Sequence, residues 1–100
     1  MGLTKEQLQD RAKKKLLDYI KEHGTPCNGK VVKYYWDTYP ICAQDICTLS
    51  AVVDKKDNII FCDYDVKKDS YRKEFSRNAD DLKYTYLNSI LESMMKDDSK

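Results

Sequence analysis

The sequence has little of the material from which small catalytic sites are built. Its 100 residues include one histidine, three glycines and two prolines. The histidine, His23, has Cys27 nearby but no recognisable third group to orient it, and no glycine-rich phosphate loop is present. The sequence therefore predicts a protein that is not an enzyme and that uses no cofactor.

Two further absences limit the expected partners. No segment approaches the ~18 consecutive apolar residues of a membrane-spanning helix, and residues 1–5 lack the apolar core of a signal peptide. Eighteen basic and seventeen acidic side chains give a formal net charge of +1. Bulk charge therefore does not indicate a strong polyanion binder. We expect a cytoplasmic protein with no membrane partner.

The spacing of the four cysteines does not favour a zinc site. They are Cys27, Cys42, Cys47 and Cys62. Only Cys42 and Cys47 are close enough to act as the kind of ligand pair that zinc sites use. Disulfides would need a secretory route, so the favoured interpretation is reduced cysteines packed as small hydrophobic side chains. A metal site made from all four, or from three with His23, is the alternative.

The first segment has the signals of an amphipathic helix. Thr4 and Gln7 fit a capping box, and Gly24 with Pro26 would end the helix, Gly24 as a left-handed cap. Between these signals, apolar residues recur at intervals of three and four. They are Leu8, Ala12, Leu16, Tyr19, Ile20 and His23. We predict a helix over residues 4–23.

Three later segments alternate with a period of two and are rich in residues that favour strands. They predict strands at about residues 30–39, 46–53 and 59–66. The polar residues 54–58 supply a tight turn between the second and third strands. These two strands are therefore predicted to form a hairpin.

A two-residue turn at Lys55-Lys56 would fix the register of this hairpin. Leu49 would then lie opposite Cys62, and Cys47 opposite Tyr64. The predicted core face of the hairpin follows from that pairing. It carries Cys47, Leu49, Ala51 and Val53 together with Ile60, Cys62 and Tyr64.

The last third of the chain begins with a charged connector at residues 67–79 and continues into a second amphipathic helix. Asp80 and Asp81 favour a helix start near residue 79, because the helix dipole favours acids in the first turn. We predict a helix over residues 79–95 and a frayed tail at 96–100.

The predicted order is helix, three strands, helix, in a single domain of residues 1–100. An antiparallel sheet with both helices on one face is an α+β fold. The alternative interpretation makes residues 31–39 and 43–50 helical and keeps one hairpin, as in a winged helix-turn-helix. The β-branched and aromatic residues at 31–36, and the proline at position 40, favour the sheet.

The aromatic content is the main indication of function. Eight tyrosines and one tryptophan exceed what a core of this size needs. Because successive strand residues face opposite sides of a sheet, Tyr34-Tyr35-Trp36 places rings on both faces. With one face under the helices, Tyr35, Asp37 and Tyr39 would form an open recognition surface. Cover by the helices and connector, or by a homodimer, is the alternative explanation for these rings.

Basic residues form a second candidate site. They are Lys67, Lys68, Arg72, Lys73 and Arg77 on the connector, with Lys13, Lys14 and Lys15 on the first helix. Such cations contact phosphate while nearby aromatic rings stack on bases. The element order is similar, in topology alone, to that of a double-stranded-RNA-binding domain, whose phosphate-binding lysines also precede its last helix. This resemblance implies a nucleic-acid-binding module.

Together these features favour a small protein-binding module without catalytic activity, acting as an inhibitor or regulator that occludes a larger protein partner. Proteins of phages and mobile elements that block host defence are similar in size and composition. The candidate contact residues are Tyr35, Asp37, Tyr39, Arg72, Lys73 and Arg77. The alternative function is nucleic-acid binding through the basic residues.

Overall fold

The computed structural model describes residues 2–37 and 47–99. One helix precedes the strands in the chain and a second helix follows them. In order, the elements are α1 (Lys5–His23), β1 (Thr25–Cys27), β2 (Lys30–Asp37), β3 (Cys47–Val53), β4 (Ile59–Cys62), a 3₁₀ turn (Lys73–Phe75), β5 (Arg77–Asn78), a second 3₁₀ turn (Ala79–Asp81) and α2 (Tyr84–Asp98). The α+β class and the helices at both ends are confirmed.

The strands form one antiparallel sheet in the order β1-β2-β3-β4-β5. The prediction of three strands was wrong, because β1 and β5 are short edge strands that pairing alone stabilises. β1 exists because Asn28 and Gly29, with φ of 53° and 76°, turn the chain back onto β2. The alternative winged helix is also wrong, since the described parts of its two extra helices are the strands β2 and β3.

Both helices lie on one face of the sheet and run in the same direction. Gln9 of α1 donates to the Ala79 carbonyl just before α2 (2.9 Å), and Tyr19 near the end of α1 donates to Asp98 at the end of α2. The core between helices and sheet is apolar. It comprises Ala12, Leu16, Ile20, Tyr35, Leu49, Ala51, Val53, Ile59, Phe61, Ala79, Leu87, Ile90 and Met94.

The start of α1 follows the sequence closely. Thr4 and Gln7 form the predicted capping box, with Gln7 N–H donating to the Thr4 hydroxyl and Thr4 N–H to the Gln7 side chain. The end differs in mechanism, since Gly24 is extended (φ −80°) rather than left-handed. Glycine suits position 24 because a Cβ there would lie 2.6 Å from the Ile20 carbonyl oxygen.

The second helix begins and ends later than predicted. Residues 79–81 form a 3₁₀ turn, and α2 starts only at Tyr84. The tail does not fray at residue 96, because the Asp98 carboxylate accepts from Tyr19 and, at 3.0 Å, from Lys33 of β2. These bonds lower the pKa of Asp98 and hold the end of α2 on the sheet.

The β3–β4 hairpin has a different register from the predicted one. Asp54 accepts from the N–H groups of Lys56 and Asn58, both at 2.9 Å, and this organises a five-residue loop in place of a two-residue turn. Ser50 therefore pairs with Cys62, where Leu49 had been expected. A one-residue shift exchanges the two faces of a strand.

The predicted core face was consequently wrong for β4. Ile59 and Phe61 lie under the helices, while Ile60, Cys62 and Tyr64 lie on the opposite side of the sheet with Val32 and Val52. The pairing of Tyr35 with Leu49 likewise places Tyr35 on the helix side. Tyr35 is 2% exposed, and its ring meets that of Phe61 edge-on at a centroid distance of 6.2 Å. It is a core residue and not part of an open surface.

We predict that Tyr35→Ala lowers the free energy of unfolding by about 3–5 kcal/mol, because truncating a buried ring removes its contacts and leaves a cavity. The matched control is Tyr34→Ala, one residue along the strand and half-exposed, which should change it by no more than about 0.5 kcal/mol. Urea unfolding of both variants measures the difference. Equal losses would show that the two faces are assigned wrongly.

Candidate protein-binding surface

The sheet face opposite the helices is partly covered by the chain that follows β4. A second apolar cluster lies there, made of Val32, Val52, Cys62 and Tyr64 with Cys27, Ile60 and Tyr71 packed against it. Tyr64 and Tyr71 belong to the segment between β4 and β5. This segment therefore closes one part of the face and leaves another part open.

A group of four polar side chains, here called the polar clasp, holds this cover in place. It consists of Asn28, Lys30, Tyr64 and Asp69. The Tyr64 hydroxyl donates to Asp69 (2.5 Å) and accepts from the Asn28 amide (2.8 Å), while the Lys30 ammonium donates to Asp69 (2.8 Å). Asn28 also donates to the Val66 carbonyl at 2.9 Å. The β1–β2 turn is thus tied to the covering segment.

The hydrogen bonds of the polar clasp shift the pKa values of three of its members. The directions are those expected when one carboxylate accepts from two donors. Hydrogen bonds from Lys30 and Tyr64 lower the pKa of Asp69. The bond to Asp69 raises the pKa of Lys30 and that of Tyr64. The arrangement is therefore strongest when Asp69 is ionised and Lys30 and Tyr64 are protonated.

The uncovered part of this face carries an exposed aromatic side chain. Tyr34 is 48% exposed, and Ser50, directly opposite it on β3, is buried at 2%. Val66 in the covering segment is 41% exposed. Val66 lies near the β1–β2 turn, where its carbonyl accepts from Asn28, whereas Tyr34 lies further along β2. The exposed Tyr34 and the uncovered sheet face around it are therefore named the open-face surface here. Such rings are typical of recognition sites.

At the end of the β2–β3 pair that is far from β1, the described sheet has only two strands. This two-stranded end is called the ribbon here. β1 pairs with β2 only as far as Val32, and β4 pairs with β3 only from Ser50 onward. Residues 35–37 and 47–49 therefore pair with each other but with no further strand among residues 2–37 and 47–99. Tyr35 and Leu49 anchor the ribbon to the helices, which leaves Tyr34 presented on a fixed support.

The structure gives a different outcome for each of the three candidate binding residues on the sheet. Tyr35 is buried, so its predicted exposure is corrected above. The structure gives the backbone of Asp37, paired with Cys47 at the end of the ribbon. Tyr39 lies outside the described residues. The roles of Asp37 and Tyr39 in binding stay predictions.

The candidate residues on the connector are all exposed. Arg72 lies over the Phe75 ring at 5.5 Å, and Lys73 begins the first 3₁₀ turn. Arg77 pairs in register with Phe61, which places position 77 on the helix side of the sheet rather than with Tyr34. The structure therefore does not bring all the candidate residues onto one face.

The remaining basic candidates divide into two groups. Lys13 is engaged, since its ammonium lies 2.5 Å from Asp80, whereas Lys14 and Lys15 are exposed. Lys67 and Lys68 are also exposed, in a turn where their N–H groups donate to Asp65. Asp69 beside them is held by Lys30, so its charge is already balanced within the clasp.

Two of the cysteines, Cys27 and Cys62, are free thiols that pack in the second apolar cluster. Cys42 lies outside the described residues. Only the backbone of Cys47 is described. Burial, reinforced by the negative charge of Asp63, raises the pKa of the Cys62 thiol to about 12. Within residues 2–37 and 47–99, no three histidine, cysteine or acidic side chains are grouped as metal ligands would be.

Sequence reasoning missed Tyr34 and the clasp. A signal for the clasp was present, because Asn-Gly is the strongest short hairpin signal and Asn28-Gly29 does form a turn. Tyr34 could not be distinguished from Tyr35 without the strand register. The face of each ring depends on pairing with β3, not on the local sequence.

Comparison of the chain with protein-family models, with curated proteins and with solved structures found no match. None of the helices in the described part of the chain has the length and apolar content to cross a membrane.

We predict that the polar clasp makes the free energy of unfolding decrease in acid, and that Asp69→Asn removes this contribution. Because the folded-state pKa of Asp69 is lowered, its stabilisation is complete above the ordinary value of 3.8 and is lost as pH falls through the lowered value. The gap between wild type and Asp69→Asn should thus be widest near neutral pH and shrink in acid.

The measurement is the urea unfolding midpoint at several pH values. Asparagine suits this test because it keeps the shape of the side chain and tolerates the left-handed backbone at position 69, where φ is 49°. The control is Asp63→Asn, at an exposed position six residues earlier. A gap that stays constant with pH would show that Asp69 does not act through its charge.

Proposed function

We propose that the protein is a small non-catalytic binding module that recognises a larger protein through its open-face surface, and that it acts as an inhibitor or regulator by occlusion. The observation that carries this proposal is the 48% exposure of Tyr34 on a strand whose other face is packed against the helices. A rigidly supported aromatic ring adds contact area at little cost in entropy.

Two exposed side chains of the segment between β4 and β5 also suit an interface with a protein. Val66 is an exposed aliphatic side chain, and Arg72 is an exposed cation that follows the packed Tyr71. Aromatic residues and arginine are enriched where proteins bind each other. The clasp fixes the segment that carries Val66, so little ordering is needed on binding.

The alternative of nucleic-acid binding has one supporting observation. Lys67, Lys68 and Arg72 are exposed, and Asp69, which lies near this turn together with Asp65, is already paired with Lys30. The local field at this turn is therefore more positive than the sequence composition indicates. Phosphate binding here would weaken steeply with salt, because counterions are released.

Site-specific photocrosslinking in cells that make the protein tests the protein-binding proposal. A benzoylphenylalanine in place of Tyr34 should give an adduct heavier than two copies of the 11.7 kDa chain, and the same probe in place of Glu92, exposed on α2, should not. Excess wild-type protein should suppress the adduct, whereas excess Tyr34→Ala should not. Equal adducts from both positions would contradict the proposal.

Labelled short single- and double-stranded DNA and RNA distinguish the alternative. Under the protein-binding proposal, their fluorescence anisotropy stays unchanged on titration with the protein at low and at physiological salt. Saturable binding that weakens with salt, and that Lys67→Glu abolishes while Lys96→Glu on α2 does not, would replace the proposal with the nucleic-acid function.

A further inference from the structure

The covering segment, residues 63–76, joins β4 to β5 and lies mostly in solvent. Ten of its fourteen residues are exposed, and Tyr64 is the one that is fully buried. The larger apolar cluster under the helices contains no residue of this segment. Low burial and sparse packing are typical of parts of a protein that open separately from the rest.

The backbone hydrogen bonds of the covering segment stay inside it. Asp65 and Ser70 exchange two such bonds, of 2.9 and 3.3 Å, and the Phe75 N–H donates to the Arg72 carbonyl at 3.1 Å. The strands on either side, β4 and β5, pair directly with each other. The segment can therefore leave the sheet face without breaking the strand ladder or its own bonds.

Three hydrogen bonds join the covering segment to described parts of the chain beyond its flanking strands, and all three belong to the polar clasp. Asn28 donates to the Tyr64 hydroxyl and to the Val66 carbonyl, and Lys30 donates to Asp69. The Asp69 side chain is 47% exposed and that of Lys30 is 29% exposed. Because water competes for exposed ionic groups, such a pair stabilises a contact only modestly. The clasp can therefore release while the core stays packed.

The surface beneath the covering segment is apolar and continuous with the open-face surface. Val32 and Tyr34 alternate onto the same side of β2, where Val52 and Ser50 lie opposite them on β3. Cys62 lies opposite Ser50 on β4. Val32, Val52 and Cys62 are at most 2% exposed, and two tyrosines of the segment belong to the same cluster. Removing these rings uncovers an apolar area next to Tyr34.

We propose that the covering segment opens as a unit while the helix-packed core stays folded, and that its opening extends the open-face surface from Tyr34 to Val32, Val52 and Cys62. The polar clasp then sets the fraction of time for which this apolar area is accessible. Opening is a property of the free chain, and its test needs no partner. The inference can therefore fail while the proposed function stands, and the reverse also holds.

Alkylation of the Cys62 thiol by iodoacetamide measures the opening, because this side chain is fully buried in the closed protein. Short pulses followed by peptide mass analysis separate Cys62 from the other cysteines. In the wild-type protein, we expect a labelling rate that changes little with urea below the unfolding transition, since local opening exposes little surface. Labelling through global unfolding would instead rise with the full urea dependence of the free energy of unfolding.

Ala51→Cys supplies a matched probe on the helix side of β3. A thiol at position 51 should be labelled at least about a hundredfold more slowly than Cys62, because it reacts only after the core unfolds. Adding Ile90→Val, a small truncation in the core, should accelerate labelling at position 51 about fivefold and leave the rate at Cys62 unchanged. If Ala51→Cys does not fold, the urea dependence of the wild-type protein still decides.

Asp69→Asn tests whether the polar clasp holds the segment closed. Loss of the ionic bond to Lys30 should raise the labelling rate of Cys62 about fivefold. The control is Glu74→Gln, which removes an exposed acid from the same segment and should leave the rate unchanged.

Three results would overturn the inference. The first is labelling of Cys62 that is as slow as labelling at position 51 or that has the full urea dependence of global unfolding. The second is an equal acceleration at both positions by Ile90→Val. The third is a Cys62 rate that Asp69→Asn does not change, which would show that the clasp does not control the opening.

Discussion

The register of the central strands is the constraint on which the rest of the structure depends. Tyr35 pairs with Leu49, and Ser50 pairs with Cys62. Because side chains alternate across a sheet, these two pairings assign every neighbouring residue to the helix face or the opposite face. They direct Tyr35 and Phe61 into the core and leave Tyr34 outside.

Each face of the sheet is then closed by a different means. Helices α1 and α2 bury the larger apolar cluster, and Asp98 ties the end of α2 to both Tyr19 and Lys33. The smaller cluster is closed by the segment between β4 and β5, which the polar clasp around Asp69 holds in place. Since the segment ends its cover short of Tyr34, the open part of the face is a consequence of the fold.

Features that depend on local sequence were predictable. The capping box at Thr4 and the helical spacing of apolar residues located α1, and alternation located β2, β3 and β4. Each of these signals acts within a few residues. Their agreement with the structure shows that local preference and global packing coincide over these elements.

Features that depend on contacts distant in sequence were not predictable. β1 and β5 are too short to have a pattern of their own and exist only because β2 and β4 offer partners. The loop that Asp54 organises lengthened the hairpin turn and shifted its register. The same limit explains the interchange of Tyr34 and Tyr35, since no local signal says which face the helices cover.

The proposed binding surface depends on the direction in which β2 points its side chains. Because β2 points Tyr35 inward, the Tyr34 ring lies on the open face. A different register would bury that ring, so the pairing of β2 with β3 determines the proposed function.

A nuclear Overhauser spectrum of the aromatic side chains tests this pairing most directly. The account predicts cross-peaks between the ring protons of Tyr35 and Phe61, whose rings meet edge-on, and none between Tyr34 and Phe61. Cross-peaks from Tyr34 to Phe61, with none from Tyr35, would show that the faces are exchanged and would contradict the account.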